Sequence, residues 1–229
     1  MGKLRFVLLF AAAIVGANAG TILDDFNRPN AATLGPNWTQ QAGTDQILNG
    51  QATQITYTSL ATFNGASSTS AFVSVYDNGS DTQYIALVLN FTDTADNFFI
   101  KVQNNGDASA FDDYAFYYGN NGGGLFQGLS QTFTSALIWA TFSGTSATLY
   151  IDPTFTGVAQ QTYTYDFGSN PGGTAIGLGF YGAAAADNFG EGTPSSGAPA
   201  PEPGTFWLSS SVVAAVGFLG KLRGGPARR

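Results

Sequence analysis

The 229-residue chain contains no cysteine and no histidine. Without cysteine it has no disulfide and no thiol nucleophile, so an exported domain of this sequence depends on its core alone for stability. Without histidine it has neither a Ser-His-Asp triad nor a histidine zinc site. These absences exclude several common hydrolase mechanisms.

Basic residues are scarce between residues 20 and 200. Arg28 and Lys101 are the basic residues of this region, against thirteen aspartates and Glu191. The net charge of −7 for the whole chain hides this imbalance, because the other six basic residues lie near the two ends. Such an acidic region repels nucleic acid and anionic membrane surfaces, so we expect no nucleic-acid partner.

Helical periodicity is lacking outside the two ends of the chain, and β patterns are abundant. Alternating or β-branched and aromatic runs, separated by Asn-, Asp- and Gly-rich turns, indicate short strands. They predict strands at 51–58, 70–76, 83–91, 97–103, 114–118, 136–143, 147–152, 162–167 and 174–181, with shorter ones at 23–26 and near Trp38. Ten or more short strands predict an all-β, two-sheet antiparallel sandwich, because one sheet of that size would leave an apolar face in water.

The N-terminus has the three parts of a secretory signal. Lys3 and Arg5 precede an apolar stretch at 6–15, and Ala17-Asn18-Ala19 follows as a cleavage site. We therefore predict a signal peptide at 1–19 and a mature chain that begins at Gly20. An uncleaved anchor is the alternative interpretation.

The C-terminus carries a turn motif, an apolar segment and a basic end. Pro201, Glu202, Pro203 and Gly204 precede residues 205–220, which carry no charge, and the basic residues of the end are Lys221, Arg223, Arg228 and Arg229. The apolar segment is at the short end of the range for a membrane-spanning helix, and its basic flank is retained on the cytoplasmic side. A buried C-terminal helix is the alternative. The Pro- and Ser-rich residues 193–200 predict a linker between this segment and a domain at 20–192.

The order of these three C-terminal parts resembles the PEP-CTERM sorting signal. The resemblance covers residues 201–229 and implies that an exosortase-like enzyme recognises and processes the tail. It also implies an exported protein of a Gram-negative bacterium that makes exopolysaccharide and biofilm, transiently anchored in the membrane and then delivered to the envelope or the extracellular matrix.

The middle of the chain resembles the concanavalin A-like, laminin-G-type jelly-roll domains. The resemblance lies in Asp24-Asp25-Phe26-Asn27-Arg28 with Leu34 to Thr39, and in segments 99–105, 116–122 and 176–189. It implies a jelly-roll sandwich. Domains of this kind bind glycans, proteins or no known ligand, so the fold does not give the function.

No catalytic residue is predicted. Retaining glucanases of similar shape use two Glu in an E-x-D-x-x-E pattern, which this chain lacks. Asp112 and Asp113 are an acidic pair, but neighbours on a strand point to opposite faces. We therefore expect a protein that is not an enzyme.

Calcium is the cofactor to consider, because Asp and Asn supply the oxygen ligands that it takes. The first and last strands of a jelly roll are commonly neighbours, which would bring together Asp24, Asp25, Asp187 and Asn188. Segments 77–81 and 93–97 are looser candidates, and 152–157 is interpreted as a turn. For each of these loops an Asx turn is the alternative.

Glycan binding is a further possibility, beside catalysis and calcium binding. Aromatic faces with nearby amides are the groups that hold sugars, and Tyr114, Tyr117, Tyr118, Asn120 and Asn121 supply them in one stretch. The alternative is that alternating aromatic residues on a strand belong to the core.

These patterns lead to three hypotheses on function. The first is an exported, non-catalytic β-sandwich that associates with glycan, or is adhesive, in the envelope or extracellular matrix, with an exosortase-like enzyme and exopolysaccharide as partners. The second is a calcium-stabilised structural module without a ligand of its own. The third is a glycoside-active enzyme.

Overall fold

The structure is a computed structural model that describes residues 20–80, 82–106, 110–119 and 123–195. These residues form fifteen strands and no helix. The strands are β1 (Thr21–Asp24), β2 (Trp38–Ala42), β3 (Asp45–Leu48), β4 (Gln51–Gln54), β5 (Thr58–Phe63), β6 (Ser70–Tyr76), β7 (Thr82–Phe91), β8 (Phe98–Asn105), β9 (Phe111–Tyr118), β10 (Gly124–Phe133), β11 (Ser135–Ser143), β12 (Ser146–Asp152), β13 (Gln161–Asp166), β14 (Ala175–Tyr181) and β15 (Ala185–Glu191).

The strands form two antiparallel sheets. The eight-stranded sheet has the order β13-β12-β11-β6-β15-β4-β3, and β1 also pairs with β15. The seven-stranded sheet has the order β10-β9-β8-β7-β14-β5-β2. The chain crosses repeatedly from one sheet to the other, as between β6 and β7 and between β14 and β15. The predicted all-β, two-sheet jelly-roll sandwich is confirmed.

The core lies between the two sheets and is formed by every second side chain of the central strands. Ile85, Leu87 and Leu89 of β7 face it, as do Ile100 of β8 and Val73 of β6, and all five are fully buried. Because side chains alternate along a strand, every second residue of these strands lies on the outer face of its sheet. The outer faces therefore hold the residues that are free to meet a partner.

Several predicted strands were placed correctly, and others were wrong. The strand predicted at 70–76 coincides with β6. The run at 51–58 was wrong as a single strand: β4 belongs to the eight-stranded sheet and β5 to the seven-stranded sheet, and the chain crosses between the sheets at residues 55–57. Strands β3, β10 and β15 were not predicted, nor was β5 beyond its first residue, Thr58. β15 (AADNFGE) is poor in β-branched residues, and Asn188 interrupts its register with a φ of 52°.

The two ends of the described region meet. Gly20 N donates to Thr193 O over 2.7 Å. The sandwich therefore includes Thr193, the first residue of the segment 193–200 that was predicted as a linker.

Candidate functional site

The outer face of the seven-stranded sheet, called the open face here, is built from rows of residues that pair across the strands. The central row contains Ala115, Lys101, Ala86, Gly179 and Leu60, which are successive Cα partners from β9 to β5. The two rows beside it carry aromatic side chains. The sheet register therefore sets aromatic rings on both sides of this row, in which Ala86 and Gly179 are small.

Phe99 covers the centre of this row. Its partners across the sheet are Tyr117 of β9 and Val88 of β7. A Cβ atom on Gly179 would lie 2.6 and 2.8 Å from two carbons of the Phe99 ring. The ring lies flat on the sheet because Gly179 has no side chain, and only 8% of Phe99 is exposed although it faces away from the core.

Tyrosines form a strip along the other aromatic row. Tyr181 stacks on Tyr84, with ring centroids 5.4 Å apart and an interplanar angle of 18°. Tyr57 meets Tyr181 edge to face at 4.3 Å and is 74% exposed. Burial raises the pKa of Tyr84 to about 12, so its hydroxyl remains a hydrogen-bond donor at neutral pH.

Lys101 lies between the two aromatic rows. Its Nζ is 4.4 Å from the centroid of the Tyr84 ring and 5.1 Å from that of Tyr117, both within the range of a cation–π interaction. Burial lowers the pKa of Lys101 to about 8, and the charge of Asp113 opposes this shift. The ammonium is thus half-buried and held by ring faces.

A shallow pocket of about 220 Å³ lies beside Lys101. Its lining residues come from the adjacent strands β8, β7 and β14: Thr82, Gln83, Tyr84, Lys101, Gln103, Asn104 and Tyr181. Gln103 lines this pocket and is 8% exposed, whereas Gln83 and Asn104 are fully buried and donate their amide N–H groups to Asp77. Aromatic surface, amides and one cation therefore meet at a single depression on the open face.

The structure divides the predicted glycan-binding stretch between two faces. Tyr117 is on the open face beside Lys101. Tyr114 is buried in the core, where it stacks on Tyr163 at 3.9 Å, and Tyr118 packs against the core and donates to Asp96. The prediction that these tyrosines act together was wrong, because successive residues of β9 point to opposite sides of the sheet and Tyr117 therefore faces away from Tyr114 and Tyr118.

Asn120 and Asn121, the amides of the same prediction, lie outside the described residues.

Sequence reasoning missed Tyr84, Lys101 and Tyr181. They come from β7 and β8, which follow each other in the chain, and from β14, which is far from both, and the sheet register brings them together. A signal was nevertheless present. In FFIKVQ (98–103) Lys101 occupies an outward-facing position of an otherwise apolar strand, and Tyr84 does so in β7.

The predicted calcium ligands come from strands that are neighbours, since β1 pairs with β15. Burial raises the pKa of Asp187 to about 6, and the charges of Asp25 and Asp24 raise it further. Asn188 follows with its backbone N bonded to Asp187 Oδ1. In the part of the chain that the structure describes, no group of three acidic residues converges as a metal site. The calcium site stays a prediction.

Asp24 instead forms the centre of a hydrogen-bond cluster. Arg28 donates to both of its carboxylate oxygens over 2.6 and 3.0 Å, Trp38 Nε1 donates over 2.7 Å, and Phe26 N donates over 2.9 Å. Arg28 also donates to Leu34 O. The residues of the jelly-roll resemblance at 24–39 thus have a structural role here: they fix the loop between β1 and β2.

The looser calcium candidates form Asx turns. Asp77 Oδ1 accepts from Gly79 N, and Asp93 Oδ1 accepts from Ala95 N. Asp152 accepts from the backbone N of Thr154, Thr156 and Gly157. The interpretation of 152–157 as a turn is confirmed.

The acidic pair of β9 is split as expected from alternation. Asp113 lies on the open face near Lys101, and Asp112 accepts from Asn105 N at the strand end. Within the described part of the open face, Asp113 is the single carboxylate. A pair of carboxylates about 5 Å apart, which retaining glycosidases need, is not present in that part.

The two predicted sorting segments, 1–19 and 201–229, lie outside the described residues. They include the motif Pro201–Gly204 and the basic residues from Lys221 to Arg229. Within residues 20–195, apart from the short gaps, no helix is long and apolar enough to cross a membrane.

No protein-family model and no curated protein matches the chain. Solved structures are similar in fold. A carbohydrate-binding module, CBM66, from Bacillus subtilis shares 16% identity over 69% of this chain and 94% of its own, with a TM-score of 0.49. A β-glucanase from Bacillus licheniformis shares 13% over 76% and 98%, with a TM-score of 0.48. Porphyranase B from Zobellia galactanivorans shares 11% over 79% and 82%, with a TM-score of 0.42.

Proposed function

We propose that this chain is an exported, non-catalytic β-sandwich that holds polysaccharide on its open face. The observation that carries the proposal is the strip formed by Tyr57, Tyr181 and Tyr84 next to the pocket at Lys101 and Gln103. Stacked and edge-on tyrosine rings offer apolar surface to the C–H face of a sugar ring. The neighbouring amides and hydroxyls supply hydrogen bonds that orient its hydroxyl groups.

A binding role fits this face better than a reaction. Glycoside hydrolysis requires one carboxylate as acid or base and a second as base or nucleophile. Asp113 is the one carboxylate on the described part of the open face, and its neighbour Asp112 points the other way. A polysaccharide held here meets aromatic and amide groups and is left intact.

Binding is tested with a glycan array and the full-length chain. We expect Tyr181→Ala to weaken binding at least tenfold, because burying an aromatic ring contributes about 1.5–3 kcal/mol. Tyr150→Ala is the matched control: this tyrosine stacks on Trp139 at 5.1 Å on the outer face of the other sheet. Absence of binding to every glycan, or an equal loss in both variants, would refute the proposal.

Delivery forms the second part of the proposal. The PEP-CTERM-like tail at 201–229 directs the chain through an exosortase-like enzyme to the envelope or the extracellular matrix, where exopolysaccharide is the partner. We expect the matured protein to have the mass of a chain that begins at Gly20 and has lost part of this tail. Full-length mass in the extracellular fraction would contradict processing, and Glu202→Ala is the variant expected to remain unprocessed.

A further inference from the structure

Lys101 is the one lysine between residues 20 and 200, in a region with fourteen acidic residues. Its place in the fold is therefore informative. The other basic residue of the region, Arg28, pairs with Asp24. Lys101 instead projects from β8 onto the open face, between rings that come from β7 and β9.

No described carboxylate pairs with this ammonium. Among the described residues the ion pair within 4.0 Å is that of Arg28 with Asp24. Asp113 acts on Lys101 from the next row, since its partner across the sheet is Gln103 and the partner of Lys101 is Ala115. The ring faces of Tyr84 and Tyr117 attract the ammonium, but they do not accept its N–H groups as the oxygen atoms of a carboxylate would.

We infer that the open face takes an acidic polysaccharide, whose carboxylate or sulfate groups pair with Lys101 Nζ while its sugar rings lie on the tyrosine strip. This inference rests on the proposed function and names the class of glycan. It assigns the charge-bearing contact to Lys101 and the orienting hydrogen bonds to Gln103 and the Tyr84 hydroxyl, which line the same pocket.

The physical reason is the cost of a half-buried cation. Removing an ammonium from water is unfavourable, and the faces of the two tyrosine rings offset only part of this cost. An anion in the adjacent pocket supplies what the rings do not, namely a charge-assisted hydrogen bond, which is about twice as strong as a neutral one. The pocket at Lys101 is open to solvent, so an anionic substituent reaches it without a rearrangement of the sheet.

The acidity of the whole domain does not prevent this contact. At physiological ionic strength the Debye length is about 8 Å, so exposed charges beyond that distance are largely screened. On the described part of the open face the charged groups are Lys101 and Asp113 alone. The charges on this face therefore balance. Asp77 lies behind the pocket, where it accepts from the amides of Gln83 and Asn104, and the rest of the excess negative charge lies elsewhere on the molecule.

The test compares matched pairs of polysaccharides on the full-length chain. Polygalacturonate and its methyl ester share a backbone and differ in the carboxylate, and dextran sulfate and dextran differ in the sulfate ester. We expect at least tenfold tighter binding of the acidic member of one pair, and the pair in which it occurs identifies the anion. Equal binding of both members in both pairs would overturn the inference and leave the proposed function standing.

Substitution of Lys101 gives the second measurement. Lys101→Met keeps a side chain of similar length and removes its charge. It is expected to reduce the preference for the acidic over the neutral glycan by about tenfold to a hundredfold, the value of a hydrogen bond to a charged group. Lys101→Arg is the matched control and should retain the preference. Equal loss for acidic and neutral glycans in Lys101→Met would show a purely structural lysine and overturn the inference.

The pH dependence of binding separates a charge from a shape effect. The titratable groups that face Lys101 are Tyr84 of β7, Tyr117 and Asp113 of β9, and Tyr181 of β14. Because burial lowers the pKa of Lys101 to about 8, affinity for the acidic glycan should fall as the pH rises from 7 to 9.5. In Lys101→Arg this fall should vanish, since a guanidinium stays charged throughout the range. A fall of the same size in Lys101→Arg would contradict the inference.

Discussion

Asp24 shows how one carboxylate can fix a whole loop. It accepts four hydrogen bonds from three residues, Phe26, Arg28 and Trp38. Phe26 is fully buried and has a φ of 50°, in the left-handed region that residues other than glycine rarely adopt. The hydrogen bond from Phe26 N to Asp24 holds it in this conformation. Asp24 thus offsets backbone strain at Phe26 and orients Trp38, whose ring packs against Phe63 and Phe189.

Replacement of Asp24 by Ala is expected to lower the free energy of unfolding by about 3 kcal/mol, because it leaves Arg28 and the Trp38 indole N–H without their acceptor. Urea unfolding measures the change. Asp25→Ala is the matched control, since Asp25 is exposed and accepts a single hydrogen bond, from Asn27 N. A cost below about 1 kcal/mol is expected there, and equal costs would refute the central role of Asp24.

At the scale of the strands, composition and alternation determine most of what could be predicted. Strands rich in β-branched and aromatic residues, such as β6 and β12, fit a pleated and half-buried surface and can be predicted from the sequence. β10 (GLFQGLSQTF) does not, because it is an edge strand with mostly exposed residues and two glycines. Its strand conformation comes from pairing with β9, which is a tertiary effect.

The open face is also a property of elements in register. Tyr117 was identified from its sequence neighbourhood, but its true neighbours on the face, Lys101 and Tyr84, are set by the pairing of β7, β8 and β9. Gly179 has its role for the same reason: it faces the Phe99 ring from a strand eighty positions away in the chain. Local patterns predict which residues point outward. They do not predict which outward residues meet.

At the scale of the whole molecule, buried carboxylates make stability depend on pH. Asp45 is fully buried at the start of β3, where the hydroxyl of Ser59 and the amide of Gln40 donate to it. Burial raises the pKa of Asp45 to about 6 and that of Asp187 to about 6, against 3.8 for an unperturbed aspartate. Between pH 4 and 6 the folded chain therefore binds more protons than the unfolded chain.

The sign of the effect follows from this difference in bound protons. Stabilisation by each group is fully present below about pH 4 and is lost as the pH rises through 6. From pH 4.5 to 7.5 Asp45 should lower the free energy of unfolding by about 2 kcal/mol, and the partly exposed Asp187 should lower it by less, because solvent screens its charge. Self-repulsion of the acidic domain acts in the same direction. The protein should thus be more stable at pH 4.5 than at pH 7.5, which urea unfolding at the two pH values measures.

Asp45→Asn isolates one of these contributions, because an amide has the size of the carboxyl group and does not titrate. The difference in unfolding free energy between pH 4.5 and 7.5 should shrink by about 2 kcal/mol in this variant. Asp152→Asn is the control: backbone and Thr154 hydrogen bonds lower the pKa of Asp152, so its protonation falls below this pH window. That variant should lose stability equally at both pH values. An unchanged pH difference in Asp45→Asn would show that Asp45 is not the buried group that titrates.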